Sequence, residues 1–594
     1  MIVPMKKVTV LVLENDRDAA LEYLREIGVV HVEAVRAAET DEVETARKEF
    51  EYVQRALEVL PSAPRTPPSG HSSIDVVHAM WRIVHERKEV ADEAESLRLE
   101  RQRILPFGDF DPAAAKALET KGVFVRLYQG SPKEPVAAPE GAILTELSRT
   151  KHAVYFSLIH RGEAPKLPAQ DVRMPAMSRS AVDARLAALE ARAAALQAEA
   201  AEYAGDRPAV AALTAEAEDR LRLAEARSGL GEATTRIVYL RGFCPAEDLG
   251  CIHEAAAKCG WGVLDEEPGE GDSVPTLIRS PAWVKPIEPL MKFIGILPGY
   301  RELDIGGMFL VFFGLFFAML VGDAGYGALF LGASFWARRK FPAAPRKLFN
   351  LIDTMSVATI VWGVITGVFF GVHPKAWPLT VTWLEDPENV KRLCFIIAVV
   401  HLSLAHLWNI LRMGRSLQSL AQLGWLGTTW TMFFYANKMV LGDSFPSLMG
   451  PVFIASVVLI VLFMTPLRQI KAEWFNHAML PLNLVSNFVD VVSYIRLFAV
   501  GTASFAVANS FNTMLAPMFG SWATGLIAAV FLFLAHALNV VLALMGVMVH
   551  GVRLNTLEFS GHIGLQWTGV PYHPFRRSRS EEHTSELQSR QSIS

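Results

Sequence analysis

The sequence predicts an α-helical polytopic membrane domain preceded by a charged α+β domain, and three observations carry that prediction. Charged residues crowd positions 1–280, whereas 305–560 hold repeated apolar stretches of the roughly 20 helical residues that cross a bilayer. Ser180–Arg227 is rich in Ala, Glu, Leu and Arg, with few breakers besides Gly205 and Pro208, as long paired helices are. The last two apolar stretches, near 479–513 and 520–551, each run to about 35 residues, roughly 50 Å of helix against a hydrocarbon core of about 30 Å. Helices of that length must tilt strongly or project into water. The expected divisions are 1–285 as cytoplasmic α/β lobes with a coiled-coil arm, 286–575 as the transmembrane part, and 579–594 as a tail foreign to the fold.

In the first division, Lys7–Leu13 alternates like a strand, Asp18–Ile27 reads as an amphipathic helix and Val29–Val35 as a second strand, giving a small βαβ-like lobe. Charge-rich helices follow over Thr40–Leu60 and Ala79–Arg103, parted by the Pro/Ser/Gly-rich 61–73. Val123–Leu127 and His152–Leu158 read as short strands. After the long helices, Thr235–Arg241, the segment GFCPAEDLGCIHEAAAKCG and Trp261–Leu264 make a second βαβ-like lobe. The plan is two lobes joined by helical rods. With Lys6 and Lys7 followed closely by Glu14, Asp16 and Arg17, the N-terminus lacks a secretory pattern, so this part is expected in the cytoplasm.

Function classes fall away on composition. Net charge is −4, without the basic field that nucleic-acid phosphates require. No GxxxxGK[ST] loop occurs, so the chain is not expected to hydrolyse ATP by that device. Cys244, Cys251 and Cys259 flank His253, but their spacing fits no zinc pattern and reads better as packing; no metal or cofactor is expected.

The apolar runs predict about eight spans, near 307–322, 325–337, 350–371, 392–411, 422–441, 450–466, 479–513 and 520–551. Basic loops recur every second span: Arg338, Arg339, Lys340, Arg346 and Lys347, then Arg412 and Arg415, then Arg468 and Lys471. The intervening loop 372–390 carries Glu385, Asp386 and Glu388 instead. A hairpin at Asp323 puts the basic loops and the soluble part on one side, the cytoplasm.

An arginine well inside a span costs at least about 3 kcal/mol and marks an ion path. Arg496 lies mid-span, on a helical stripe with Ser486, Ser493, Ala499, Ala503, Ala506 and Ser510. One fixed positive charge on an otherwise small-residue track invites another helix to slide past. The alternative is a structural arginine paired with Asp490 or another carboxylate. In the last span His536, Asn539, Ala543, Gly546, His550 and Arg553 share one face, suited to a wet path or to interhelical hydrogen bonds. Arg553 stands near the cytoplasmic end and can also snorkel. His401 and His406 are five apart and fit bundle packing better than a metal pair. Asp323 is either a turn residue or the wall of an outer vestibule.

These strings resemble a known family, the membrane stator subunit (subunit a or subunit I) of rotary V-type and A-type ATPases. The resemblance rests on GDAGYG at 322–327, SYIRLFAVGTA at 493–503 and VHGVRLNTLEF at 549–559, with weaker support from GFCPAED and FGVHP, and spans nearly all of 1–575. It implies that Arg496 is the arginine facing the rotor ring's membrane carboxylates, Arg553 the second arginine and His550 its polar neighbour. It implies further that Asp323 lines the outer half-channel and that Glu558 is the acid closing the last motif. Leu482 and Ala543 stand where some members carry a glutamate, so Asp490, Asn487 and His536 become candidates for the access paths. Expected partners are rotor-ring subunits, peripheral-stalk subunits on the soluble lobes, a central-stalk collar and lipid. Two readings from other classes remain, a stand-alone secondary transporter or channel with a sensing domain and a membrane-anchored scaffold. The first predicts repeated halves with broken helices, and no repeat is visible.

Overall fold

In the computed structural model, residues 1–577 are described apart from 36–39, 62–66, 135, 164, 166, 235, 343, 375–376, 466–470 and 472. Thr235, Arg468 and the tail 579–594 therefore lie outside the described residues. The chain forms two compact units, one of Met1–Val8, Phe243–Glu254 and Leu264–Pro574, the other of Thr9–Gly242, Ala255–Val263 and the residues from Phe575.

The chain opens with strand β1 (Met5–Leu13), helix α1 (Arg17–Ile27) and strand β2 (His31–Glu33). Helices α2 (Asp41–Val59), α3 (Ser73–Ile104) and α4 (Pro112–Glu119) follow, then strands β3 (Val123–Gly130), β4 (Ile143–Arg149), β5 (Val154–Arg161) and β6 (Gln170–Val172). Next come α5 (Arg179–Glu202), α6 (Arg207–Ser228), β7 (Gly231–Thr234), β8 (Ile237–Pro245), α7 (Leu249–Cys259) and β9 (Gly262–Glu266). The two segments read as separate βαβ-like lobes are one sheet, in the order β2-β8-β1-β9 with β7 against β8. That corrects the expected plan, and the reason is physical. Two short strands are marginal alone, whereas β1 and β8, pooled in one sheet, bury Val8, Val10, Leu240 and Phe243. The second lobe lies elsewhere, as an antiparallel sheet in the order β4-β5-β3-β6 inserted between α3 and α5. Tyr128, Val154, Phe156 and Leu158 form its core.

The rods pair as α3 with α5 and α2 with α6. Arg185 grips Glu93 with two bonds of 2.7 and 2.9 Å between α3 and α5, and Arg220 reaches Glu49 at 2.7 Å between α2 and α6. Exposed pairs of this kind are each worth about 0.2–1 kcal/mol, so the rods are held mainly by their apolar seam of Val53, Val76, Met80, Ile83, Leu196 and Val210. Between α5 and α6 the break falls at Tyr203–Asp206, where buried Asp206 accepts the Ser69 amide at 3.0 Å.

The membrane part adds a two-residue strand β10 (Pro275–Thr276) and α8 (Glu288–Ile294), then α9 (Gly306–Val321), α10 (Ala324–Lys340), α11 (Arg346–Thr366), α12 (Pro387–Met413) and α13 (Gln418–Leu441). It continues with α14 (Met449–Phe463), α15 (Trp474–Ala478), α16 (Leu480–Ser493), α17 (Ile495–Leu515) and α18 (Trp522–Gly546), ending in α19 (Ser560–Ile563) and strand β11 (Val570–Pro571), which pairs with β10. Among the described residues each predicted span falls mainly on helix, yet a count of about eight spans is not confirmed. Four are long and apolar enough to cross by themselves: Arg346–Thr366, Pro387–Met413, Leu480–Gly520 and Trp522–Ile563. The pair α9 and α10, bent by 119°, makes at most a fifth, because its members have only 16 and 17 residues. Met449–Phe463 is 15 residues long, and α13 carries Gln422, Thr428, Thr429, Asn437 and Lys438 within it.

The two long helices run for 41 and 42 residues, about 60 Å each at 1.5 Å per residue. The first carries a turn at Tyr494. The second changes to π-helical turns over Val547–Gly551 and Leu554–Phe559, the stretch that holds His550, Arg553 and Glu558. The bend between α9 and α10 depends on Gly322, whose φ of 70° suits a residue without Cβ. Gly501 lets α17 lie against the Met319 carbonyl, a space that any Cβ would fill.

Two outcomes follow for the soluble part. Burial pushes the Cys244 thiol up to about 12, while Cys251 and Cys259 are exposed. Maleimide at pH 8 should label Cys251 and Cys259 within minutes and Cys244 only on unfolding, as mass spectrometry of the labelled peptides will read. Leu196→Ala should cost about 2–5 kcal/mol, because it empties the seam between the rods.

Candidate functional site

Arg496 is the second residue of α17. Its Nε donates to the Ser493 carbonyl at 2.8 Å and its Nη2 to Glu558 Oε1 at 2.7 Å. Arg553 Nε lies 3.5 Å from the same carboxylate oxygen. Two guanidiniums thus share one acid, leaving a net positive charge. The Glu558 side chain is 4% exposed, that of Arg496 23% and that of Arg553 55%. Burying a carboxylate so far is costly unless it is paired, and Arg496 supplies the pairing. The other oxygen, Oε2, is buried without a hydrogen-bond partner among the described residues. His550 lies on the same stretch, its Nδ1 likewise buried and without a partner among the described residues.

Asp490 does not pair with Arg496. Its carboxylate meets His562 Nε2 at 3.2 Å, His562 Nδ1 meets His406 Nε2 at 2.9 Å, and His406 Nδ1 meets Gln422 at 2.9 Å. This row of titratable groups lines a cavity of about 790 Å³ that Asn487, Arg553 and Glu558 also border. Asn487 is buried and bonded to Thr428 and Thr429 at 3.1 and 3.2 Å.

A second polar group gathers around Tyr326 of α10. Its hydroxyl meets His536 Nδ1 at 2.6 Å and accepts from Asn539 Nδ2 at 3.1 Å. His536 Nε2 reaches Asn512 at 3.1 Å, and Ser504 donates to Asn539 at 3.3 Å. His536 and Asn539 therefore share one hydrogen-bonded cluster, apart from Arg553 further along the same helix and from Arg496 on α17.

Asp323 is 3% exposed and accepts four backbone N–H groups: Gly325 at 2.7 Å and Tyr326 at 3.2 Å, which cap α10, and Phe370 at 2.8 Å and Gly371 at 2.7 Å. Those bonds fasten the turn at 369–372 to the start of α10. Of the two roles open to Asp323, this geometry is that of a turn-forming acid.

Along α17, Ala499, Ala503, Ala506 and Ser510 are all exposed, whereas Leu497, Ser504 and Ala508 on the other side are buried. The small-residue track read from the sequence is thus an uncovered face with Arg496 at one end. Among the described residues no group of three His, Cys, Asp or Glu side chains is placed to hold a metal ion.

Sequence reasoning missed His562, Gln422, Tyr326, Asn512 and Tyr494. His562 lies past the last apolar run, and only its place beyond the VHGVRLNTLEF string marked it. Tyr326 was inside the quoted GDAGYG string but was read as part of a turn.

No protein-family model matches the chain. It is 32% identical over 623 residues to V-type ATP synthase subunit I 1 of Treponema pallidum (strain Nichols), covering 97% of this chain and 100% of that protein. V-type ATP synthase subunit I of Borreliella burgdorferi is 29% identical over 618 residues, covering 98% and 100%. A-type ATP synthase subunit I of Methanocaldococcus jannaschii is 23% identical over 391 residues, covering 58% and 56%. Among solved structures, the cytoplasmic N-terminal domain of subunit I, homolog of subunit a, of V-ATPase matches 44% of this chain and 100% of its own. At TM-score 0.26 and 15% identity, that likeness is too slight to bear on the fold. Full-length identity above 30% decides the matter: this chain belongs to the V-type ATP synthase subunit I family.

Proposed function

We propose that the chain is the ion-translocating stator of a rotary ATPase, with Arg496 facing the membrane carboxylates of a rotor ring. The observation that carries this reading is the exposed track of Ala499, Ala503, Ala506 and Ser510 beside a partly exposed arginine. A rotor helix can approach such a face closely, and the charge is where it passes.

A rotor carboxylate must be neutral in lipid, because an unpaired buried charge is too costly. Beside Arg496 it can ionise, since a nearby positive charge favours the anion. Arginine keeps its proton, so it cannot itself relay one between the two sides of the membrane. Glu558 holds the guanidinium until the rotor acid arrives. The arriving carboxylate competes for Arg496, and Arg553 is close enough to keep Glu558 paired during the exchange. The inner access path runs through the cavity lined by Asp490, His562 and His406, and the outer one along Tyr326, His536, Asn512 and Asn539. The rods of α2, α3, α5 and α6 resist torque, with peripheral-stalk subunits and a central-stalk collar as their partners.

In vesicles carrying the assembled complex, Arg496→Ala should abolish ATP-driven acidification, a loss of at least about 100-fold, the scale for removing a preorganised electrostatic partner, with assembly intact. Undiminished pumping would sink the assignment and move it to Arg553. Should wild type pump no protons, sodium uptake is measured in the same vesicles. His562→Ala and Asp490→Asn should each slow proton pumping about tenfold or more, the usual scale for a proton-transfer group, while His253→Ala, distant in the soluble part, leaves the rate unchanged. Asp323→Ala exposes the four amides it satisfies, and at about 1–3 kcal/mol for each buried group it should lower the aggregation temperature of the purified protein.

A further inference from the structure

Among the buried titratable groups, His401 of α12 has no part in either polar row. It is fully buried, and its ring is stacked between Phe312 of α9 (centroids 3.8 Å, planes 19° apart) and Phe559 (4.1 Å, 9°). Phe316 presents an edge to it at 5.7 Å. Its Nδ1 meets the hydroxyl of Tyr494 at 2.8 Å, and its Nε2 is buried without a partner among the described residues. A phenylalanine would fill the same slot without leaving a polar nitrogen unsatisfied, so packing alone does not account for a histidine here.

What the imidazole touches is specific. Tyr494, also fully buried, is the residue at which α16 gives way to α17, and it precedes Arg496 by two positions. Phe559 directly follows Glu558 on the π-helical turn. One ring therefore holds, by a hydrogen bond on its edge and a stack on its face, the two segments that carry the Arg496–Glu558 pair. Arg496 and Glu558 lie 62 residues apart in sequence and are joined by a 2.7 Å hydrogen bond. A third point of support comes through Phe312 from α9.

We propose that His401, acting through Tyr494, is a positioning residue that fixes where Arg496 is presented. The inference rests on the stator reading of Arg496. It requires that losing the His401–Tyr494 bond leave the fold standing but let the guanidinium wander, so that rotation and ion passage fall out of step. Small displacements of a reacting group cost rate steeply.

The test measures protons pumped per ATP hydrolysed, together with the amount of assembled complex, in vesicles of wild type, H401F, Y494F, the double variant and H401Q. H401F keeps the stack and removes the bond, and Y494F removes the bond from the other side. Both should assemble to wild-type amounts and still hydrolyse ATP, with the pumping ratio down about tenfold or more. The double variant should be no worse than either single one, because both delete one interaction. H401Q, which can still bond the Tyr494 hydroxyl, should recover most of the ratio. A wild-type ratio in H401F overturns the proposal, and so does a loss confined to the amount of complex. Losses that multiply in the double variant overturn it as well. If H401F fails to assemble, Y494F decides by the same criteria. Arg496→Ala is run alongside: normal pumping there overturns the stator reading itself, whereas a dead Arg496→Ala with a normal H401F overturns only the role of His401.

Discussion

The ion pair between Arg496 and the buried Glu558 is the interaction on which the membrane part turns. Each partner makes the other tolerable in apolar surroundings, and neither helix supplies it alone. The pair obliges two very long helices to meet at a fixed level. Close contact there uses small residues, such as Gly546 against Val500, while Gly501 brings α17 against the Met319 carbonyl of α9. The π-helical turns at 547–559 fall where the second helix delivers three polar side chains within one short stretch. Helices of regular pitch space such groups more widely around the axis.

Much of this was legible because it is written in local patterns. Apolar runs and helical period located every membrane helix, and a charge inside such a run singled out Arg496. The exposed track of Ala499, Ala503 and Ala506 followed from spacing alone, and the structure leaves those residues uncovered. Pairing was not legible. Arg496 and Glu558 are remote in the chain, and Asp490 was the nearer carboxylate in sequence, yet it turns to His562. His562 itself gave no signal, since it sits in ordinary polar sequence after the last apolar run. The count of about eight spans is not confirmed for a different reason: α9, α10 and α14 are short for a crossing, and α13 is long enough but carries polar residues.

The soluble part shows the same division between local and remote information. Strands β1 and β8 alternate clearly and were found. That they share one sheet depends on pairing across more than 200 residues, which no local window encodes. Strand β4 escaped because most of its residues are exposed, so it has no buried face to alternate with a polar one. The rods were found as helices able to pair, but not which helix pairs with which. Ser180–Arg227 folds into two helices that each lie along a different earlier helix.

In the proposed path, Asp323 bears on the electrostatics of the end at which α9 meets α10. Its oxygens are already taken by backbone amides, so this anion is electrically present yet chemically engaged. The hydrogen-bonded chain around Tyr326 otherwise holds no carboxylate among the described residues: it is made of a phenol, an imidazole, two amides and a hydroxyl. Such a chain orients and passes an ion without gathering a counter-ion cloud in front of it, as a ring of open carboxylates would. In the proposed path, arrivals at that end are then governed by the bulk concentration of the ion rather than by local enrichment, and capture there is little affected by the ionic strength outside.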